Sequence, residues 1–180
     1  VARTGGRPIH PVTAIPGGLS KPLSTADRDA IRRDLPEALK LAQLAIEVAR
    51  GVFEKQAALV PVFGAPQTKY MGLSREGRLE LYDGTLRLAA PDGKLLEDID
   101  PRRYLDIIGE QVEPWSWLKF PYYLKQGYPE GTYRVGPLAR INLARTTGTP
   151  HADVELASFK QSGTGGMVHD TLRYHQARLI

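Results

Sequence analysis

Histidine is the side chain best suited to hold a metal or exchange a proton near neutral pH, and the chain has four: His10, His151, His169 and His175. Helical ligand pairs share a face at spacings of three or four. His169 and His175 are six apart, and no glutamate is placed as in HExxH. They read as surface or interface histidines. There is no cysteine, so thiolate metal sites, disulfides and a thiol nucleophile are all excluded within this stretch. The patterns GxSxG, GxGxxG and the Walker loop are also missing. The glycine-rich SGTGG at Ser162 to Gly166 follows no buried strand and reads as a connector. Asp98 and Asp100 could pair as carboxylates, but beside Pro101 they fit a solvated helix start better.

One stretch stands apart. GGRPIHPVTAIPGG, Gly5 to Gly18, sets two glycine pairs around three prolines and His10. Glycine permits positive φ and close backbone approach. Proline stiffens the chain and drives the preceding residue to extended conformations. Such a loop holds one shape without regular structure. It either positions something, His10 included, or is a tight turn leading into a helix, with His10 packed in the core.

The surrounding elements follow from periodicity and turn residues. Ser24 to Asp27, STAD, has a capping hydroxyl and an acid three residues on. A helix is expected from there to about Lys55, re-starting at Pro36. Leu35, Leu39, Ala42, Ile46, Ala49 and Phe53 would form its apolar face. Alternation around Asp83-Gly84 and Asp92-Gly93 predicts a hairpin or meander with Leu79, Leu81, Leu86 and Leu88 on its buried side. PRRYLDIIGEQV from Pro101 predicts a short helix. TYRVGPLARINL predicts a strand followed by a turn at Gly136-Pro137, and helices are expected in PHADVELASFK and MVHDTLRYHQARLI. The aromatic run PWSWLKFPYY is a candidate platform for a sugar or a single-stranded nucleic acid, but core and interface burial is the better use of such rings.

These pieces divide a partial single domain, 1–180, into a Gly/Pro interface loop (1–23), a helical part (24–60), a β-rich part (61–100), an aromatic-rich mixed segment (101–145) and a helical part (146–180). The net charge of +4 is spread among acidic residues, which argues against a nucleic-acid partner. No apolar run approaches the ~20 residues of a membrane span. The ends lack helix start and stop signals, so the chain is expected to be internal to a longer one.

The loop also carries a resemblance. Gly5-Gly6, His10-Pro11, five residues, then Gly17-Gly18 match G-G-K-x-P-H-P…G-G of nickel–iron hydrogenase large subunits, with Arg7 for Lys and Ile9 for Pro. EPWSWLKFPYY, YRVGPLARINL and VHDTLRYHQARLI are similar to stretches of the large (alpha) subunit of the soluble, NAD(P)-linked, multimeric group. The resemblance implies an α+β fold, mainly a helical central-bundle segment (residues 28–55 and 167–180) with a small peripheral antiparallel β-meander (68–100). It implies reversible oxidation of dihydrogen, in the cytoplasm, at a nickel–iron centre with CO and cyanide ligands. That centre would be held by two CxxC pairs lying outside this chain, so no residue here is assigned to nickel, iron or catalysis. The implied partners are a small subunit carrying iron–sulfur clusters and a flavin/NAD(P)-reducing module. His10 and Arg7 would lie near the small-subunit cluster closest to the active site. A metal-free scaffold or assembly paralogue of the same fold is the alternative. An unrelated binding domain that uses the aromatic platform is the third reading.

Overall fold

The computed structural model describes residues 2–180. The chain forms two compact units, one up to Val48 and one from Ala49 to Ile180.

In the first unit, a short helix α1 (Ala2–Gly5) precedes a minimal hairpin, β1 (Ala14–Ile15) against β2 (Gly18–Leu19), with Ala14 paired to Leu19. The long helix α2 (Thr25–Lys55) begins here and crosses the unit boundary. Ser24 starts it as the sequence predicts. The Asp27 amide donates to Ser24 Oγ at 3.1 Å, and Ser24 Oγ donates to the Asp27 carboxylate at 2.7 Å. The expected re-start at Pro36 does not occur: α2 runs through it without interruption. Nor is the expected apolar face uniformly covered. Ile46 is buried and Ala42, Ala49 and Phe53 are half-buried, but Leu35 and Leu39 are exposed.

The second unit is organised by a sheet of order β4-β3-β5-β6, made of β3 (Lys69–Arg75), β4 (Arg78–Leu79), β5 (Thr85–Ala89) and β6 (Leu95–Ile99). Its turns are those the Asp-Gly pairs predict, with Gly84 at φ 101° and Gly93 at φ 86°. Later in the chain come β7 (Ile108–Gln111), β8 (Phe120–Tyr123) and β9 (Tyr133–Arg134), the last pairing in parallel with β3. Successive residues of a strand face opposite sides. Thus Tyr70 and Ala89 enter one apolar cluster with Leu138, Ile141 and Phe159, while their neighbours Met71 and Leu88 enter another with Ile107 and Tyr123. A sheet covered on both faces loses the polar alternation of a one-sided strand. Of the four leucines expected on a buried side, Leu88 is buried, Leu79 and Leu86 are half-buried, and Leu81 is exposed.

The remaining helices are α3 (Pro137–Leu143), α4 (Pro150–Gln161) and α5 (Tyr174–Ala177). The expectation of a mainly helical central-bundle segment is therefore overturned. After α2 the longest helix has 12 residues, and the sheet is the frame of both apolar clusters rather than a peripheral meander. The chain is α+β. Three local expectations change with it. The predicted turn at Gly136-Pro137 is the start of α3. The helix from Pro101 is a 3-10 turn, Pro101–Asp106, that gives way to β7. The predicted last helix is reduced to α5, because side-chain hydrogen bonds, one set from α3 and one from within, hold the 167–173 segment. Asn142 takes both backbone groups of Val168, and the Asp170 carboxylate takes the Arg173 amide.

Candidate functional site

The glycines of the opening loop each have a structural reason. A Cβ at Gly5 would sit 2.3 Å from Pro11 Cβ, so only glycine allows α1 and Pro11 to approach. Gly6, Gly17 and Gly18 have φ of 77°, 87° and 151°, conformations open to glycine and strained for other residues. The loop closes on itself: the Ser20 amide donates to Thr13 O at 2.9 Å, and Ser20 Oγ donates to Val12 O. Lys21 reaches Arg3 O at 3.3 Å and the Asp27 carboxylate at 3.2 Å. The Ser24 hydroxyl foremost, then Lys21, hold the Asp27 carboxyl below the usual carboxylate range.

This frame presents Arg7 and His10 to solvent. Both are exposed, and among the described residues neither has a hydrogen bond or an ion pair. His10 is not a packed core histidine. It sits at φ 50°, uncommon for a residue with a Cβ and worth of order 1 kcal/mol or more in strain.

The other histidines do not converge with it. His151 is exposed on the first turn of α4, and His175 is exposed beside Tyr174. His169 belongs to a buried network that sequence reasoning missed. Tyr70, fully buried on β3, places its Oη 3.1 Å from Val168 O and 2.7 Å from His169 Nδ1. With the hydroxyl donating to the carbonyl, its oxygen accepts from the Nδ1–H of neutral His169. Arg134, on β9, donates to His169 O and to Gly64 O at 3.0 Å. Burial first, then the Arg134 charge, lowers the His169 pKa, and burial pushes the Tyr70 phenol up to about 12. Asp170 and Arg173 pair at 2.5 Å below the surface. This network fixes the backbone of residues 168–173.

A nickel–iron centre needs thiolates or an equivalent donor set. The chain has no cysteine, and no group of three or more His, Asp or Glu side chains converges among the described residues. The residues present do not fit such a centre, and no chemical step is assigned to it here.

No protein-family model matches the chain. It is 41% identical over 180 residues to the vhu A polypeptide of the F420-non-reducing hydrogenase of Methanococcus voltae, covering all of this chain and 43% of that protein. It is 30% identical over 182 residues to the beta polypeptide of the NAD-reducing hydrogenase HoxS of Cupriavidus necator, covering 97% of this chain and 37% of that protein. The crystal structure of an NAD+-reducing nickel–iron hydrogenase in the H2-reduced state superposes with a TM-score of 0.85 at 37% identity, over 99% of this chain and 40% of that one. The chain thus spans about two fifths of the length of the proteins it matches. The expectation of a large (alpha) subunit is overturned by these findings: the two named relatives are an A and a beta polypeptide, and less than half of each is matched. What the similarity supports is a hydrogenase subunit without that designation. No helix among the described residues is long and apolar enough to cross a membrane.

Proposed function

We propose that these 180 residues are part of a longer hydrogenase subunit, and that the assembled enzyme oxidises dihydrogen reversibly to protons and electrons. The observation that carries this is the match over nearly the whole chain, 100% and 97% of it, to hydrogenase subunits of two kinds. The metal chemistry belongs to parts of the enzyme outside this stretch. Electrons leave through iron–sulfur clusters of a partner subunit. NAD(P) as their destination rests on the relative whose name says NAD-reducing.

Within that enzyme, Arg7 and His10 face the partner beside an iron–sulfur cluster. Support comes from the loop itself: a rigid frame, an imidazole at positive φ, and two cationic or hydrogen-bonding side chains left without partners. An imidazole N–H near a cluster stabilises its reduced, more negative state and raises its potential.

The test uses the full-length subunit in its complex, matured with metals. Hydrogen-driven reduction of a viologen dye is expected, and its complete absence in a metal-loaded complex overturns the hydrogenase reading. His10→Ala is then expected to slow electron exit and to lower the potential of the nearest cluster. An unchanged cluster EPR titration, with unchanged dye reduction, removes His10 from that role.

A further inference from the structure

Arginines that are covered by protein normally have acceptors, because an uncompensated buried charge is costly. Arg50, Arg87, Arg134 and Arg173 follow this rule, held by Glu155, Asp98, backbone carbonyls and Asp170 respectively. Arg140 breaks it. It is half-buried on α3, and among the described residues its guanidinium has no hydrogen bond or ion pair.

A Cβ at Gly72 would lie 3.3 Å from Leu143 Cδ1, a tight approach, and 3.5 Å from Arg140 Cγ, an ordinary contact, so α3 and the arginine stem lie against β3. Arg140 lines two clefts. One, of about 370 Å³, has Leu79, Pro137, Ile141 and Ile180 as apolar walls; the other, of about 230 Å³, runs along Met71 and Leu86. Leu81 lines both and is 72% exposed. The carboxylate on the smaller cleft, Glu80, lies 3.5 Å from Arg75. On the larger one the second charge is again positive, the exposed Arg178, unpaired among the described residues, and Thr147 and Thr149 are its polar walls. The clefts are mainly apolar, their unpaired charge is cationic, and Arg140 lines both.

We infer that Arg140 is a receptor for the side-chain carboxylate of an aspartate or glutamate flanked by apolar residues, carried on the part of the same longer polypeptide that lies outside residues 1–180. A planar guanidinium takes a carboxylate through two parallel hydrogen bonds, and apolar neighbours exclude water from such a pair. Charge complementarity selects the acid. The length of the relatives selects the source, since more than half of each lies outside the matched region. The inference rests on the reading of the chain as part of a longer subunit.

The experiment places a photoreactive benzoylphenylalanine at Leu81 in the full-length subunit, in its complex, and maps the cross-linked peptide by mass spectrometry. The expected product joins position 81 to a stretch of the same polypeptide beyond residues 1–180, one with an acid between apolar residues. A product with another subunit, or none from an active photoprobe, overturns the inference. Arg140→Glu should lower the melting temperature of the subunit by about 5 °C or more. Exchanging the mapped acid for arginine should restore most of it; no loss, or no restoration, counts against the pair. The cross-link needs no turnover. A cross-link in a complex without hydrogen-driven dye reduction leaves the inference standing and removes the hydrogenase reading. Dye reduction without the cross-link does the reverse.

Discussion

His169 shows how much a single side chain owes to its surroundings. Its neutral form is favoured because burial and the Arg134 charge oppose protonation. The unfolded chain binds the proton at an ordinary value near ~6.5. As the pH falls below that value, the unfolded state takes up a proton that the folded state refuses, so stability drops through that window and levels off below the folded value. Denaturant titrations of the full-length subunit between pH 7.5 and pH 5 should show this loss, and His169→Gln should flatten it. Tyr70→Phe removes the hydroxyl shared by Val168 O and His169 Nδ1. It should cost about 1–3 kcal/mol, because the His169 nitrogen is left unpaired in a covered place. A cost indistinguishable from zero would mean that water replaces the phenol.

The hairpin of β3 and β5 depends on one glycine more than on its flanking strands. Gly84 stands at φ 101°, and a Cβ there would lie 2.5 Å from Ser74 O and 2.9 Å from Ser74 C. These are backbone atoms of the paired strand and cannot move aside. Gly84→Ala is expected to destabilise the subunit by about 2 kcal/mol or more, read as a lower denaturant midpoint with unchanged slope. Asp-Gly announces this turn in the sequence, and the structure places it where it is announced. Helix α3 is announced by nothing comparable. Leu138, Ala139, Ile141, Asn142 and Leu143 are all buried, so only Pro137 and Arg140 of the helix are partly exposed, and a short, mostly apolar run does not distinguish helix from strand by periodicity. Pro137 at its first turn was the available signal. The 167–173 segment fails in the opposite direction. Its composition suits a helix, yet Asn142 and Tyr70 offer hydrogen bonds to the non-helical backbone at Val168, and Asp170 closes a turn on the Arg173 amide.

For the molecule as a whole, exposed apolar side chains mark surface that this stretch does not cover. Trp117 is fully exposed at 104% and Trp115 is 73% exposed, beside the hairpin of β7 and β8. Trp115 packs at a tilt against Phe120, and Phe120 against Tyr128, with ring centroids 5.4 Å and 6.4 Å apart. Contiguous exposed aromatics of this kind mark interaction sites. Both tryptophans should be strongly quenched by iodide in residues 1–180 alone and shielded in the assembled complex. Equal quenching in both would leave this patch without a partner in the enzyme.

Features that rest on a few adjacent residues are legible in the sequence without the fold. The Ser24 cap, the two Asp-Gly turns and the glycine and proline frame around His10 all follow from backbone sterics and local hydrogen bonds. That no thiolate centre is built from this stretch is equally plain there, since it needs only the absence of cysteine. Whatever depends on distant partners was settled by folding. Tertiary packing made the sheet two-sided, turned GPLARIN into a buried helix, joined Tyr70 to His169 across 99 positions, and left Arg140 half-covered with no acid paired to it among the described residues. Burial and charge pairing are sums over neighbours brought together by folding, and spacing along the chain does not encode them.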